Sequence, residues 1–299
     1  MSCRAALIVA VVFFTSVIRA QTPEYNHRVV RSFRINNATT VDVSNKYGKI
    51  HVMTWEKDSV KFIIDLLIKA KDNQKLQKLK QGIDFEFTAG QYYVVAQTKF
   101  GNGGTDVFRD LIDIAGTYLS SSNAVTINYS IMIPAYSALK IENKFGDVYL
   151  DDLAGNLNLT LSYGNFKANR LNGKSEIRIT SGDGEINYLK DGQLIVSYSD
   201  LHLKEGNRLN VESRSSNVTL DRVENLNLNS RRDKVYLNEI RAMAGESYFS
   251  DFKIGYLQDQ VNFLLRYGDM TINTVKRSFG QLNITSEYTD LAIGFERSA

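Results

Sequence analysis

Cysteine is all but missing from this chain of 299 residues: Cys3 is the only one. Any fold built from the later residues therefore lacks disulfides, Cys-ligated zinc and a Cys nucleophile. Two prolines, Pro23 and Pro134, leave no material for Pro-rich linkers. Three histidines, His27, His51 and His202, leave little for a His-based metal site or His-dependent acid–base chemistry. Charge of one sign is also scarce. Lys and Arg number 36 against 33 Asp and Glu, which is not the strongly basic balance of a nucleic-acid binder. No Gly-x-Ser-x-Gly elbow, His-Glu-x-x-His or phosphate loop occurs. Past residue 20, no apolar run reaches the roughly 18 residues of a membrane-spanning helix, so no transmembrane span is expected in the mature chain. What remains is ordinary globular material, 43% hydrophobic, able to bury a sizeable core.

Residues 1–20 read as a secretory signal peptide. Arg4 supplies the positive start, Ala5–Val17 the apolar segment, and Ile18-Arg19-Ala20 a small residue at a cut before Gln21. Cleavage would remove Cys3, Arg4 and Arg19, taking the basic count from 36 to 34 against 33 acids. A cysteine-free exported chain fits a bacterial envelope, as periplasmic, surface or extracellular protein, better than a disulfide-rich secretion.

The strongest signal is a repeat. An aromatic or small residue, a small residue, then Asp or Asn precede an apolar–x–apolar segment. The copies begin at Phe145, Tyr163, Ser181, Tyr198, Ser215, Arg232, Phe249, Tyr267 and Tyr288, in steps of 18, 18, 17, 17, 17, 17, 18 and 21 residues. A second alternating segment precedes most copies, as in Leu157-x-Leu159-x-Leu161, Leu209-x-Val211 and Val261-x-Phe263-x-Leu265. A third apolar anchor follows, as at Leu153, Leu171, Leu189, Val223 and Ile240. Alternation of period two is a strand with one buried face. No coil of this length buries its own apolar side, whereas stacked coils about 4.8 Å apart do. The period predicts an all-β fold, a β-solenoid or parallel β-helix of 17–18-residue coils, over an antiparallel sandwich, which needs no fixed step.

The expected organisation is a signal peptide at 1–20, a β-rich region at 21–138 and the repetitive solenoid at 139–299. The same unit stands once in the first region: Val41–Val52 matches Leu139–Leu150 position by position. Strands are expected at Val60–Ile68, Phe85–Phe87, Tyr92–Thr98 and Val125–Ile133. Asp72 or Asn73 can cap a short helix carrying Leu76, Leu79 and Ile83. Phe100–Ser122 reads as a long irregular loop whose middle, Val107–Ile114, has room for a helical turn or two.

Two sets of residues invite chemistry. Asp147, Asn165, Asp183, Asp200, Asn217, Asp251, Asp269 and Asp290 share one position and would stack as a ladder. Carboxylates in a column suit calcium. Turn chemistry explains them more simply, because Asp and Asn tolerate tight corners, and Lys234 would put a cation in the column. The expectation is a structural ladder with neither metal nor cofactor. Outward strand positions bring Tyr149, Lys167, Glu185, His202, Thr219, Tyr236, Lys253 and Thr271 onto one stripe. Tyr149, Lys167, His202, Tyr236 and Lys253 form a possible binding face for glycan or a cell-surface protein. Asp151-Asp152 is the only adjacent acidic pair in the repeat, and a glycosidase needs two carboxyls across a cleft. No catalytic residue is assigned.

Ser44–Trp55, the helix near Gln74–Ile83, Tyr129–Pro134 and Asn143–Val148, followed by the Gly–Asp coils, resemble the bacterial putative-adhesin family of exported β-solenoid proteins. The resemblance runs over about residues 35–295. It implies a role at the cell envelope, with adhesion inferred and no catalytic residues to carry over. Coils beginning at Ser215 and Arg232 depart from it by lacking the aromatic. The favoured expectation is a non-enzymatic exported binding protein. The alternatives are a polysaccharide-active β-helix enzyme and a structural envelope protein without its own ligand.

Overall fold

The computed structural model describes residues 22–101 and 124–297. The expected signal segment and most of the expected 100–122 loop, including Val107–Ile114, fall outside the described residues. Those described form a β-solenoid, as the period predicts. Successive coils run through β8 (Ala138–Lys144) and β9 (Val148–Leu150), β10 (Leu157–Ser162), β11 (Phe166–Thr180), β12 (Asp183–Ser197), β13 (Asp200–Arg214), β14 (Asn217–Arg231), β15 (Lys234–Tyr248), β16 (Asp251–Arg266), β17 (Met270–Val275), β18 (Gln281–Glu287) and β19 (Leu291–Phe295). All pair parallel with the coil before, with local register shifts only at Leu171/Lys174, Ile240/Ala242 and Ile272/Val275. Apolar residues alternate inward, and Leu159, Ile177, Leu194, Val211 and Leu228 are at most 1% exposed. The two short strands expected per coil merge across the third anchor into single 15-residue strands, because the chain bends there while keeping most of its ladder pairing.

The first region stacks on the same axis. β2 (Thr40–Lys46) and β3 (Ile50–Trp55) pair parallel with β8 and β9, so Val41–Val52 is a solenoid coil out of sequence order. β6 (Tyr93–Phe100) and β7 (Ala124–Pro134) form the layer beyond, parallel to β2 and β3. Antiparallel strands then close that end: β5 (Ile83–Ala89) on β6, β4 (Ser59–Lys69) on β7, and β1 (Glu24–Arg34) on β4. The helix α1 spans Asn73–Gln81, capped by the Asp72 carboxylate accepting from the Lys75 amide, with Leu76 and Leu79 buried. Ile83, expected on this helix, instead opens β5. β1 carried no sequence signal, since its charged, mostly exposed residues show no alternation.

The coil corner comes in two forms, set by the step. The first residue of every copy has left-handed backbone, from Tyr47 at φ 63° to Tyr288 at φ 54°. This falls on the aromatic position and not on the Asp/Asn column. Where a copy follows its predecessor by 18 residues, the second residue is glycine. A Cβ on Gly164 would lie 2.2 Å from the Gly146 carbonyl oxygen, and on Gly268 2.1 Å from that of Ser250. Where the step is 17, that residue is Ser199, Ser216, Asp233 or Ser250, all buried. Their side chains accept the second-residue amide of the preceding coil: Gly182 N to Ser199 Oγ 3.2 Å, Ser199 N to Ser216 Oγ 3.3 Å, Ser216 N to Asp233 Oδ1 2.8 Å and Asp233 N to Ser250 Oγ 3.1 Å.

Candidate binding groove

The same two corner forms place the Asp/Asn column. Across the longer steps its side chains accept the amide of the next column residue: Asp147 from Asn165 at 2.8 Å, Asn165 from Asp183 at 3.1 Å, Asp251 from Asp269 and Asp269 from Asp290 at 3.3 Å. Across 17-residue steps a backbone carbonyl takes that amide instead, as Ser199 O does from Asn217 and Ser216 O from Lys234. No ladder side chain is needed there, and Lys234 occupies the column at no cost in backbone bonding. Asp200 accepts only the Asn217 amide group, at 2.7 Å.

The outward stripe is one in-register column: His51, Tyr149, Lys167, Glu185, His202, Thr219, Tyr236, Lys253 and Thr271. Several members bond to one another or to near neighbours. Lys167 pairs with Glu185 at 2.7 Å, and that hydrogen bond raises the lysine pKa. The Tyr149 hydroxyl donates to Asp147 at 3.0 Å, which raises the phenol's pKa. His202 meets Asp221 at 3.0 Å, and Lys253 lies over the Tyr236 ring. A shallow hollow of about 340 Å³ lies among His51, Tyr149, Lys167 and Glu185.

A larger concavity lies elsewhere, where each coil bends from its third anchor into the next alternating segment. It is an open groove of about 920 Å³ running along the solenoid axis. Two in-register columns flank it. One is Asp191, Arg208, Asn225, Ala242, Gln260 and Gln281; the other is Gln193, Asn210, Asn227, Ala244, Asn262 and Asn283. Leu209, Leu226, Met243 and Val261 form the buried floor between them. Six coils at about 4.8 Å give a groove of roughly 24 Å.

Its chemistry is that of neutral amides. Asn227 donates to Asn210 at 3.1 Å, and Asn283 to Asn262 at 3.0 Å. Each amide has two donor hydrogens and two acceptor lone pairs, so one ladder bond leaves capacity facing outward. The charged lining is Lys174, Asp191 and Arg208 at one end. Arg208 grips Asp191 with two bonds, at 2.5 and 2.6 Å, and holds that carboxyl below its ordinary pKa. Ala242 and Ala244 stand where neighbouring coils carry amides, so the walls step down at mid-groove. The sequence held a sign of this: Leu209-Asn-Val, Leu226-Asn-Leu, Val261-Asn-Phe and Leu282-Asn-Ile place Asn at the outward position of the alternation. Reading only the apolar partners passed over it. Among the described residues no group of three or more His, Cys, Asp or Glu is placed to hold a metal ion.

No family model matches the chain, and neither does any curated protein. Solved structures do. A putative lipid binding protein from Parabacteroides distasonis is 10% identical, with 90% of this chain and 95% of that one covered at a TM-score of 0.39. A putative cell adhesion protein from Clostridium sporogenes is 12% identical over 91% and 100%, at 0.29. A putative adhesin from Parabacteroides merdae is 9% identical over 91% and 96%, at 0.31. Two of these three names speak of adhesion. At such scores the likeness does not bear on what this chain binds.

Proposed function

We propose that the protein is an exported, non-enzymatic binding protein of the bacterial cell envelope, an adhesin in the broad sense, whose groove takes an extended, uncharged glycan. The observation that carries this reading is the pair of amide columns held in register over six coils. Sugar hydroxyls both donate and accept, as amides do, and a linear chain of them repeats its groups along its length as the groove does. The apolar floor and the two alanines leave room for the less polar faces of sugar rings. Asp191 is the only acid in the lining and is tied to Arg208, whereas glycoside cleavage calls for two free carboxyls. Export rests on the apolar segment Ala5–Val17 behind Arg4. No helix among the described residues is long and apolar enough to cross a membrane.

The test is a glycan array with residues 21–299, soluble and displayed on beads. Each site is open and modest, so binding should be weak for the monomer and strong when many copies act together. Ala244→Trp fills the groove from an exposed position and should abolish binding without moving Tm. Binding that survives Ala244→Trp, or release of reducing ends, would overturn the reading.

A further inference from the structure

The repeat breaks at one corner. Where the other copies carry an aromatic or serine, then glycine, serine or threonine, then Asp or Asn, this one reads Arg232-Asp233-Lys234, directly behind Arg231. In register with Arg231 on the preceding coil is Arg214. We propose that Arg214 and Arg231 form a binding site for an oxyanion, a phosphate or sulfate group carried by a larger ligand.

Three observations carry this. First, the arginines of the neighbouring coils are matched. Arg208 pairs with Asp191, Arg222 with Glu205 and Glu239, Arg241 with Glu224 and Asp259, and Arg266 with Glu287. Among the described residues, neither Arg214 nor Arg231 has an ion pair, and Arg232 lies over the Phe249 ring. Like charges directly opposite on adjacent strands are unfavourable. The fold gains nothing from setting two arginines directly opposite on adjacent strands, and an oxyanion accepting from both repays it.

Second, the corner is rigid behind them. The buried Asp233 carboxylate faces inward. It accepts from the Arg231 amide at 2.8 Å, the Ser216 amide at 2.8 Å, Ser213 Oγ at 2.6 Å and Ser230 Oγ at 2.7 Å. Its charge is thus spent on the corner and not on the guanidinium groups.

Third, a hollow of about 450 Å³ opens beside Arg214 and Arg231, with Tyr248 and Ser197 on its rim. Glu212 and Glu246 also line it, one column away on either side of Asn229 and about 6.6 Å back along the strands. Neither makes an ion pair with an arginine. They bias the site toward a single oxyanion group and against a densely charged polyanion.

The test follows arginine side-chain NεH signals in the 15N-labelled protein during titration with inorganic phosphate. The Arg214 and Arg231 signals should shift together and saturate, while exposed Arg178 stays still. Arg231→Gln should weaken binding at least fivefold and leave the Tm of the free protein equal or higher, since a like-charge contact is relieved. Ala244→Trp should bind phosphate as wild type does, so this site and the glycan groove fail separately. A phosphorylated hexose and anionic phospholipid vesicles then tell a sugar source from a lipid one, and saturable binding of either supports the site. Equal, non-saturating shifts at Arg178, an unchanged affinity in Arg231→Gln, or a drop of several degrees in that variant's Tm would overturn it.

Discussion

Replacing Asp233 by alanine tests whether the serine-type corner is held as described. The side chain is 3% exposed and accepts from two backbone amides and two serine hydroxyls. The hydroxyls can turn elsewhere, as Ser230 Oγ already lies 2.9 Å from Ser250 Oγ. The amides of Ser216 and Arg231 cannot. A buried donor left unmatched costs about 1–3 kcal/mol, and a bond to a charged acceptor sits at the upper end. Two fixed donors give an expected loss of about 3–5 kcal/mol. Asp200→Ala is the control, because that carboxylate is exposed and accepts only from the Asn217 side chain; it should cost at most about 0.5 kcal/mol. Urea unfolding of both variants, followed by far-UV circular dichroism, measures the difference. Losses equal within about 0.5 kcal/mol would refute the assignment of Asp233 as the corner's buried acceptor.

The other expectations concern corner sterics and pH. Gly164→Ala must push a methyl group into the Gly146 carbonyl. It should destabilise by about 2–3 kcal/mol in the same urea assay, whereas Ser216→Ala, at the equivalent position of a shorter coil, loses hydrogen bonds alone and should cost about 1–2 kcal/mol. Tyr129 is 1% exposed, and burial raises its phenol to about 12, against a bond to Thr98 that lowers it. A raised folded pKa means full stability below pH 10 and loss as pH climbs toward 12. Wild type should lose up to about 2.7 kcal/mol across that window, and Tyr129→Phe should flatten this alkaline limb of the stability profile.

The solenoid was legible because stacking forces one residue class onto one position in every coil. Leu159, Ile177 and Val211 repeat inward for the same reason that their neighbours repeat outward. The cap was less legible. β1 earns its place by pairing with β4, a partner distant in sequence, and long-range pairing leaves no local period. The order of the first coils was hidden too, since β6 and β7 come after β2 and β3 in the chain but lie beyond them on the axis. The corner glycines made sense only once the carbonyl facing each Cβ could be located. The left-handed residue is glycine's neighbour, and glycine serves close approach.

That distinction explains how a groove can form at all. A ligand lying along the axis needs its contacts directly above one another, and equal coil lengths place them so. Gln193, Asn210, Asn227 and Ala244 are each 17 residues apart, as are Arg214 and Arg231. These positions fall in the run of coils with serine-type corners, where side chains of Ser199, Ser216, Asp233 and Ser250 link one coil to the next through the interior. The 18- and 21-residue steps lie outside this run, at Asn262 and Asn283 on one side and before Ser181 on the other. There the Asp and Asn ladder supplies the link from the outer side of the corner. Moving the link inward frees the outer corner from needing an Asp or Asn side chain for it. That is the corner at which Arg231, Arg232 and Lys234 stand, and a polar core of serines is the structural condition for their being there.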